Sequence, residues 1–311
     1  MICSSSASFV AQSTVVCCFG RLEMEDAVKI PEIGLGCGNL LKASLPELID
    51  TAARHGFRTI TARPFAFAAA IEAGFTEKDL RRRLADAGVR VTMIDCLHGL
   101  PGVPPVETID PAMRASYPPD IFNPPDEETC FRAAEVLEAG VVNLNHYRGH
   151  LLPLEEMAEA VSKICRRARA RGLRIALEFI ADTGLPNLPF AQAVIKACGE
   201  TNCAIVLDFC HLDRSGGTVE DVHRLPPGVI ANIQISDRTP PLPGSVYVPM
   251  SGRQMPGKGR LPLRALMEAA LANSSDATAD IEVLNEELRD LPTDEAAARL
   301  AAAAKAWRAT L

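Results

Sequence analysis

From Pro31 onward, short apolar runs alternate with longer segments whose apolar residues recur at helical spacing. The runs are IGLGCG, FRTITAR, VRVTMIDC, VVNLNHY, RIALEFI, AIVLDFC, VIANIQIS and DIEVLNE. Each is rich in Val, Ile, Leu or Phe and has the length of a strand buried on both faces, as in a parallel sheet. Between them lie the helix candidates LPELIDTAARHG, DEETCFRAAEVLEAG, LEEMAEAVSKICRRARARG and LPLRALMEAALA. Several end in Gly, which suits a helix C-terminus because Gly adopts a left-handed backbone at no steric cost. The final segment, DEAAARLAAAAKAWRATL, predicts an Ala-rich terminal helix.

Eight strand-then-helix units predict an α/β chain folded as a single (β/α)8 TIM barrel over residues 30–311. A doubly wound sheet is the runner-up. It lacks support, because GLGCGN after the first strand is a lone Gly cluster and not a dinucleotide fingerprint. No composition shift marks a linker, so one domain is expected. The Pro-rich stretches 101–125 and 240–256 read as long βα excursions on the C-terminal face, where such loops build or cover a site.

Residues 1–29 predict a disordered N-terminal extension. The first 23 are Ser- and Cys-rich, without the basic start and long apolar stretch of a secretory signal. Met24 opens MEDAVKIPEIGLG, which looks like an ordinary start, so an over-long start assignment is one reading and a cleavable targeting peptide a weaker one.

Charge and cysteine content narrow the class. With 32 basic and 39 acidic residues the formal net charge is −7, which argues against a nucleic-acid partner. The ten cysteines form no CxxC pair, and Cys96, Cys203 and Cys210 sit inside apolar runs as small hydrophobes. Reduced thiols and a cytoplasmic location follow as expectations. No segment approaches the roughly 18 consecutive apolar residues of a membrane span.

The run IVLDFCHLDRSGG raises the chemical question, because Asp208 closes an apolar strand and His211 follows three residues later. A charge at that position is costly unless a salt-bridge partner, a backbone nest or a metal ion compensates it. Strand five ends in Glu178, strand seven in Gln234 and strand eight in Glu282, and in a barrel these ends converge on one mouth. Each alone has a structural reading: Asp208 capping a turn, Glu178 paired with Arg174, Gln234 a satisfied core amide. Together, three carboxylates and an amide would repel one another without a cation. An all-oxygen set favours a hard divalent ion, Mn²⁺ or Mg²⁺, over Zn²⁺.

The segments LEF, LDFCHLDRSGG, IQISD, MPGKGRLPL and IEVLNEEL resemble the xylose-isomerase-like superfamily of sugar isomerases and epimerases. The resemblance spans about residues 30–311 and is most specific over 175–290. It implies a TIM barrel with Glu178, Asp208, Gln234 and Glu282 as metal ligands and His211 as a substrate-contacting residue. Many members carry His where Gln234 stands, and a Gln is similar to the inosose dehydratase and 3-dehydroshikimate dehydratase branches. Lys258, in PGKG, replaces the more usual acidic residue. Co²⁺ is a further candidate metal, and a homodimer is expected because barrels of this family commonly pair.

The reaction expected is proton abstraction beside a metal-polarised carbonyl of a sugar, sugar phosphate or cyclic polyol. Glu178 or Glu282 would serve as base and His211 as acid or second base. Return of the proton to carbon gives an isomerase or epimerase; loss of a β-hydroxyl gives a dehydratase. Arg214 and Arg253 are candidates to hold an anionic substrate group, and His98 and His146 are candidate pocket residues. His55 reads as structural, His150 and His223 as solvated. An abasic-site endonuclease would need a His-rich metal cluster and a basic face, and a non-catalytic sugar-binding barrel would not need the ligand quartet.

Overall fold

The computed structural model describes residues 30–108, 111, 114, 122–147, 149–239 and 252–311. The expected N-terminal extension lies outside the described residues, as do most of 109–121 and all of 240–251 from the two Pro-rich stretches.

Eight parallel strands close into a barrel in sequence order, β1 pairing with β8 to complete it. They are β1 (Ile33–Leu35), β2 (Thr59–Ala62), β3 (Arg90–Leu97), β4 (Val141–Asn145), β5 (Arg174–Glu178), β6 (Cys203–Asp208), β7 (Ile230–Ile235) and β8 (Thr278–Ile281). Closure excludes the doubly wound alternative. All eight apolar runs became strands because residues of both faces are buried, one set in the barrel interior and the other beneath the helices.

The five expected helices form at Leu45–Arg54, Glu127–Val136, Leu154–Arg169, Leu263–Asn273 and Thr293–Arg308. Their outer-ring packing buries Leu45, Leu48 and Ile49 of the first, and Met157, Val161 and Ile164 of the third. Ser44 and Glu47 form a reciprocal capping box that fixes where the first helix starts. The same device, Thr76 with Asp79, starts Glu77–Ala87, a helix the apolar spacing had not suggested. That helix is charged on most of its surface and buries only Leu80 and Leu84, so its periodic signal is faint.

The glycines of the first run serve close packing. A Cβ on Gly34 would lie 2.8 Å from the Thr59 carbonyl oxygen, and one on Gly36 would lie 2.8 Å from that of Ile281. Both contacts are too tight for any side chain, so these positions let β1 nest between β2 and β8.

Candidate active site

Parallel pairing aligns the strand ends at one mouth. Asn145 is the register partner of Glu178, and Asp208 that of Gln234. Glu282 is the first residue past β8, and its N–H donates to the Ile235 carbonyl at 2.9 Å, extending the β7–β8 ladder by one rung. All four predicted strand-end acceptors are therefore buried together, with Asp208 fully enclosed.

Asp208 meets two kinds of compensation. As N-cap of the short helix Phe209–Arg214 it accepts the His211 N–H at 2.8 Å, and its other oxygen accepts from Arg253 Nη1 at 2.7 Å. Arg253 Nη1 also lies 2.9 Å from Glu282 Oε2. Its Nη2 lies 3.1 Å from His211 Nε2. A guanidinium has only donors, so His211 Nε2 accepts and the ring proton belongs on Nδ1. Burial agrees, pushing the imidazole down to about 3 and holding it neutral.

Glu178 is anchored differently. Its Oε2 accepts from Asn143 at 2.7 Å and from Asn145 at 3.2 Å, while Oε1 lies 3.6 Å from His211 Nε2. Arg174 is at the opposite end of β5, bonded to the Gly228 carbonyl, and does not pair with it. Burial, then the like charges of Asp95 and Asp208, push the Glu178 carboxyl up to about 8. Burial likewise raises Glu282 well above the ordinary carboxylate value. For Asp208, burial pushes upward but Arg253 and His211 outweigh it, and the net shift is downward. One arginine thus serves both Asp208 and Glu282, and the cluster of carboxyls stays short of positive charge.

The residues suit a divalent cation. Glu178, Asp208 and His211 each place a ligand atom within 4.8 Å of the other two. Gln234 Oε1 is buried with no donor, its Nε2 turned toward Glu282 Oε1 at 3.3 Å. A buried acceptor without a donor, beside carboxyls whose charged forms burial disfavours for want of a positive partner, is a donor set that a cation would complete.

A cleft of about 100 Å³ opens onto this cluster, lined by Glu178, His211, Arg253 and Glu282. Three further lining residues are His98, Asp95 and Arg63. Of the other predicted pocket residues, His146 does not line the cleft. It is buried between Gly149 and Gly184, where a Cβ would fall within 1.9 Å and 1.7 Å of its ring nitrogens. Arg214 also lies off the cleft and pairs with the exposed Asp182 at 3.3 Å. His55 bonds Asp294 at 3.0 Å, and Lys258 is exposed.

Asp95 was not singled out in the sequence, although it carries the same signal as Asp208: a carboxylate inside an apolar run, MIDC. Burial raises its carboxyl, and it accepts from Asn143 at 2.8 Å. Asn143 and Asn145, two apart in VNLN, share the inward face of β4 as strand alternation requires. Asp237 organises the loop that delivers Arg253. Its oxygens accept the N–H groups of Arg238, Gly257 and Leu261 at 2.8–3.0 Å. A Cβ on Gly259 would come within 2.3 Å of Asp237, so the PGKG turn fits only as it stands.

Residues 49–309 match the xylose isomerase-like TIM barrel family. The chain belongs to that family. Comparison with curated protein sequences gave no match. Among solved structures, the IolI protein with a bound zinc atom superposes with a TM-score of 0.72 at 17% identity, covering 90% of this chain and 97% of that one. The probable 3-DHS dehydratase AsbF of Bacillus anthracis gives 0.65 at 16% identity, covering 89% and 98%. The D-psicose 3-epimerase of Clostridium cellulolyticum H10 with D-tagatose gives 0.62 at 15% identity, again covering 89% and 98%. At these identities the likeness establishes the barrel. No helix among the described residues is long and apolar enough to cross a membrane.

Proposed function

We propose that this chain is a divalent-metal-dependent isomerase or epimerase of a sugar, sugar phosphate or cyclic polyol, acting by proton abstraction next to a carbonyl. The observation that carries the reading is that Glu178, Asp208, Gln234 and Glu282 are all buried at one mouth of the barrel, with Gln234 Oε1 lacking a donor. Those four side chains would hold Mn²⁺, Mg²⁺ or Co²⁺, which supplies a Lewis acid to polarise the substrate carbonyl and lower the acidity barrier at the adjacent carbon.

The chain's own residues then handle the proton. His211 is a neutral imidazole at the cleft, with Nε2 between Arg253 and Glu178 Oε1. It and the Glu178 or Glu282 carboxylate are the bases within reach of a substrate C–H. His98, at the end of β3, faces the same cleft and would contact substrate hydroxyls. A proton returned to carbon completes isomerisation or epimerisation.

Dehydration of a cyclic polyol ketone such as inosose or 3-dehydroshikimate is the second reading. It is favoured by the presence of two proton-holding groups, His211 and Glu178, 3.6 Å apart. One takes the carbon proton and the other delivers a proton to the departing β-hydroxyl, which leaves as water.

A panel of ketoses, inososes and 3-dehydroshikimate, incubated with added Mn²⁺ in D₂O and followed by NMR, tests both. Deuterium entering the carbon next to the carbonyl supports the isomerase reading, and loss of a hydroxyl supports dehydration. A panel that shows neither exchange at any such carbon nor loss of a hydroxyl, with Mn²⁺ bound, counts against both.

A further inference from the structure

Arg253 occupies an unusual place for a residue expected to hold a substrate anion. Its Nη1 is within hydrogen-bond distance of Asp208 Oδ2 at 2.7 Å, Glu282 Oε2 at 2.9 Å and the Glu282 carbonyl at 3.2 Å. The side chain is almost wholly enclosed. Its backbone is tied to the end of β8, its N–H donating to Leu284 O and its carbonyl accepting from Asn285. The guanidinium is therefore seated on ligand oxygens contributed by β6 and β8.

We propose that Arg253 is a displaceable internal cation, so that loading a divalent ion is an exchange in which the guanidinium gives up Asp208 and Glu282. The proposal rests on the metal reading above. Three physical facts favour exchange over coexistence. Asp208 Oδ1 already accepts the His211 N–H, so an ion on Asp208 would take Oδ2, and an oxygen facing a guanidinium at 2.7 Å leaves no room for a cation in the same direction. Two positive charges held that close in a buried site repel strongly. Arg253 also lines the open cleft, so the flexible side chain has an adjacent space to enter while its anchored backbone stays fixed. Without an ion, Arg253 keeps the carboxylates from repelling one another apart, and the site is preorganised at a cost in metal affinity.

Mn²⁺ affinity of the chelated full-length protein, measured by calorimetry for wild type, Arg253→Gln and Arg253→Lys, tests this. Removing two charge-assisted hydrogen bonds that compete with the ion should tighten Mn²⁺ binding by about 10- to 100-fold in Arg253→Gln. The apo variant should melt below wild type, and Arg253→Lys should fall between the two in affinity. A merely structural salt bridge would predict the opposite: weaker Mn²⁺ binding as the site loosens. Wild type that binds Mn²⁺ while Arg253→Gln binds equally or more weakly overturns the exchange and leaves the metal reading standing. Failure of both proteins to bind Mn²⁺ overturns both. Should the variants not fold, a wild-type crystal soaked in Mn²⁺ decides. The guanidinium should have left Asp208 and Glu282, and an ion bound with Nη1 still on Asp208 overturns the proposal.

Discussion

Asp208 and Gln234 are register partners across β6 and β7, so that a carboxylate and an amide face each other at the same height of the barrel mouth. Strand order places Glu178 one strand away on one side and Glu282 one strand away on the other. Glu178 pairs with Val206 and Gln234 with Asp280, each two residues short of the neighbouring acceptor, so the four gather at the mouth through the stagger of the strands as well as their pairing. Arg253 reaches them from a loop that Asp237 holds in place.

Asp208→Asn should keep the barrel folded, because Asn can still cap the His211 N–H. It removes the charged partner of Arg253, whose remaining carboxylate contact is Glu282. The apoprotein should lose about 2–3 kcal/mol. Denaturant unfolding of chelated protein checks this, and an unchanged midpoint would mean the pair contributes nothing to stability.

His211→Ala should leave Mn²⁺ binding near wild type and lower turnover by about 10²–10⁴-fold, the range for loss of a general acid or base. Steady-state kinetics on whichever substrate the panel identifies gives the answer. Near-normal turnover would reduce His211 to the structural contact it makes with Arg253.

Gln234→His keeps the formal charge and exchanges a hard oxygen donor for a softer nitrogen. Mn²⁺ or Mg²⁺ should lose ground to Co²⁺ and Zn²⁺ in the variant, following ligand softness. Activity across a metal series, after complete chelation and reconstitution, supplies the comparison. Superimposable profiles would remove Gln234 from the coordination shell.

Glu178 makes the apoprotein sensitive to alkali. Its folded value of about 8 stands above the ordinary 4.5. The folded state therefore favours the protonated carboxyl, and its contribution to stability is complete below about 4.5 and lost as pH rises through 8. Chelated wild type should melt lower at pH 9 than at pH 6, and Glu178→Gln should flatten that slope. Ligation runs the other way: the carboxyl must give up its proton to bind an ion, so Mn²⁺ affinity should weaken as pH falls below 8. Parallel slopes in wild type and Glu178→Gln would contradict the shift.

The barrel was legible because each strand is a continuous apolar run bounded by a helix, and a buried parallel strand leaves no other mark. The strand-end acceptors were legible for the same reason, as polar letters interrupting apolar words. Asp95 carried that mark too, but β3 runs two residues past it to Leu97, so Asp95 lies inside the strand rather than at its end. His146 misled because position at a strand end does not fix direction: flanking glycines draw the ring into the wall. Nothing in the sequence shows that Arg253, 45 residues from Asp208, returns to bond it. That contact depends on the three N–H groups gathered by Asp237, which is a tertiary fact.

The central claim is that Glu178, Asp208, Gln234 and Glu282 form one divalent-cation site. Its most direct test is the Mn²⁺ stoichiometry of chelated, reconstituted protein by electron paramagnetic resonance, for wild type and for Asp208→Asn. One tightly held Mn²⁺ per wild-type chain and none in the folded variant is the predicted result. Undiminished Mn²⁺ in Asp208→Asn, or none in wild type at neutral pH, would contradict it.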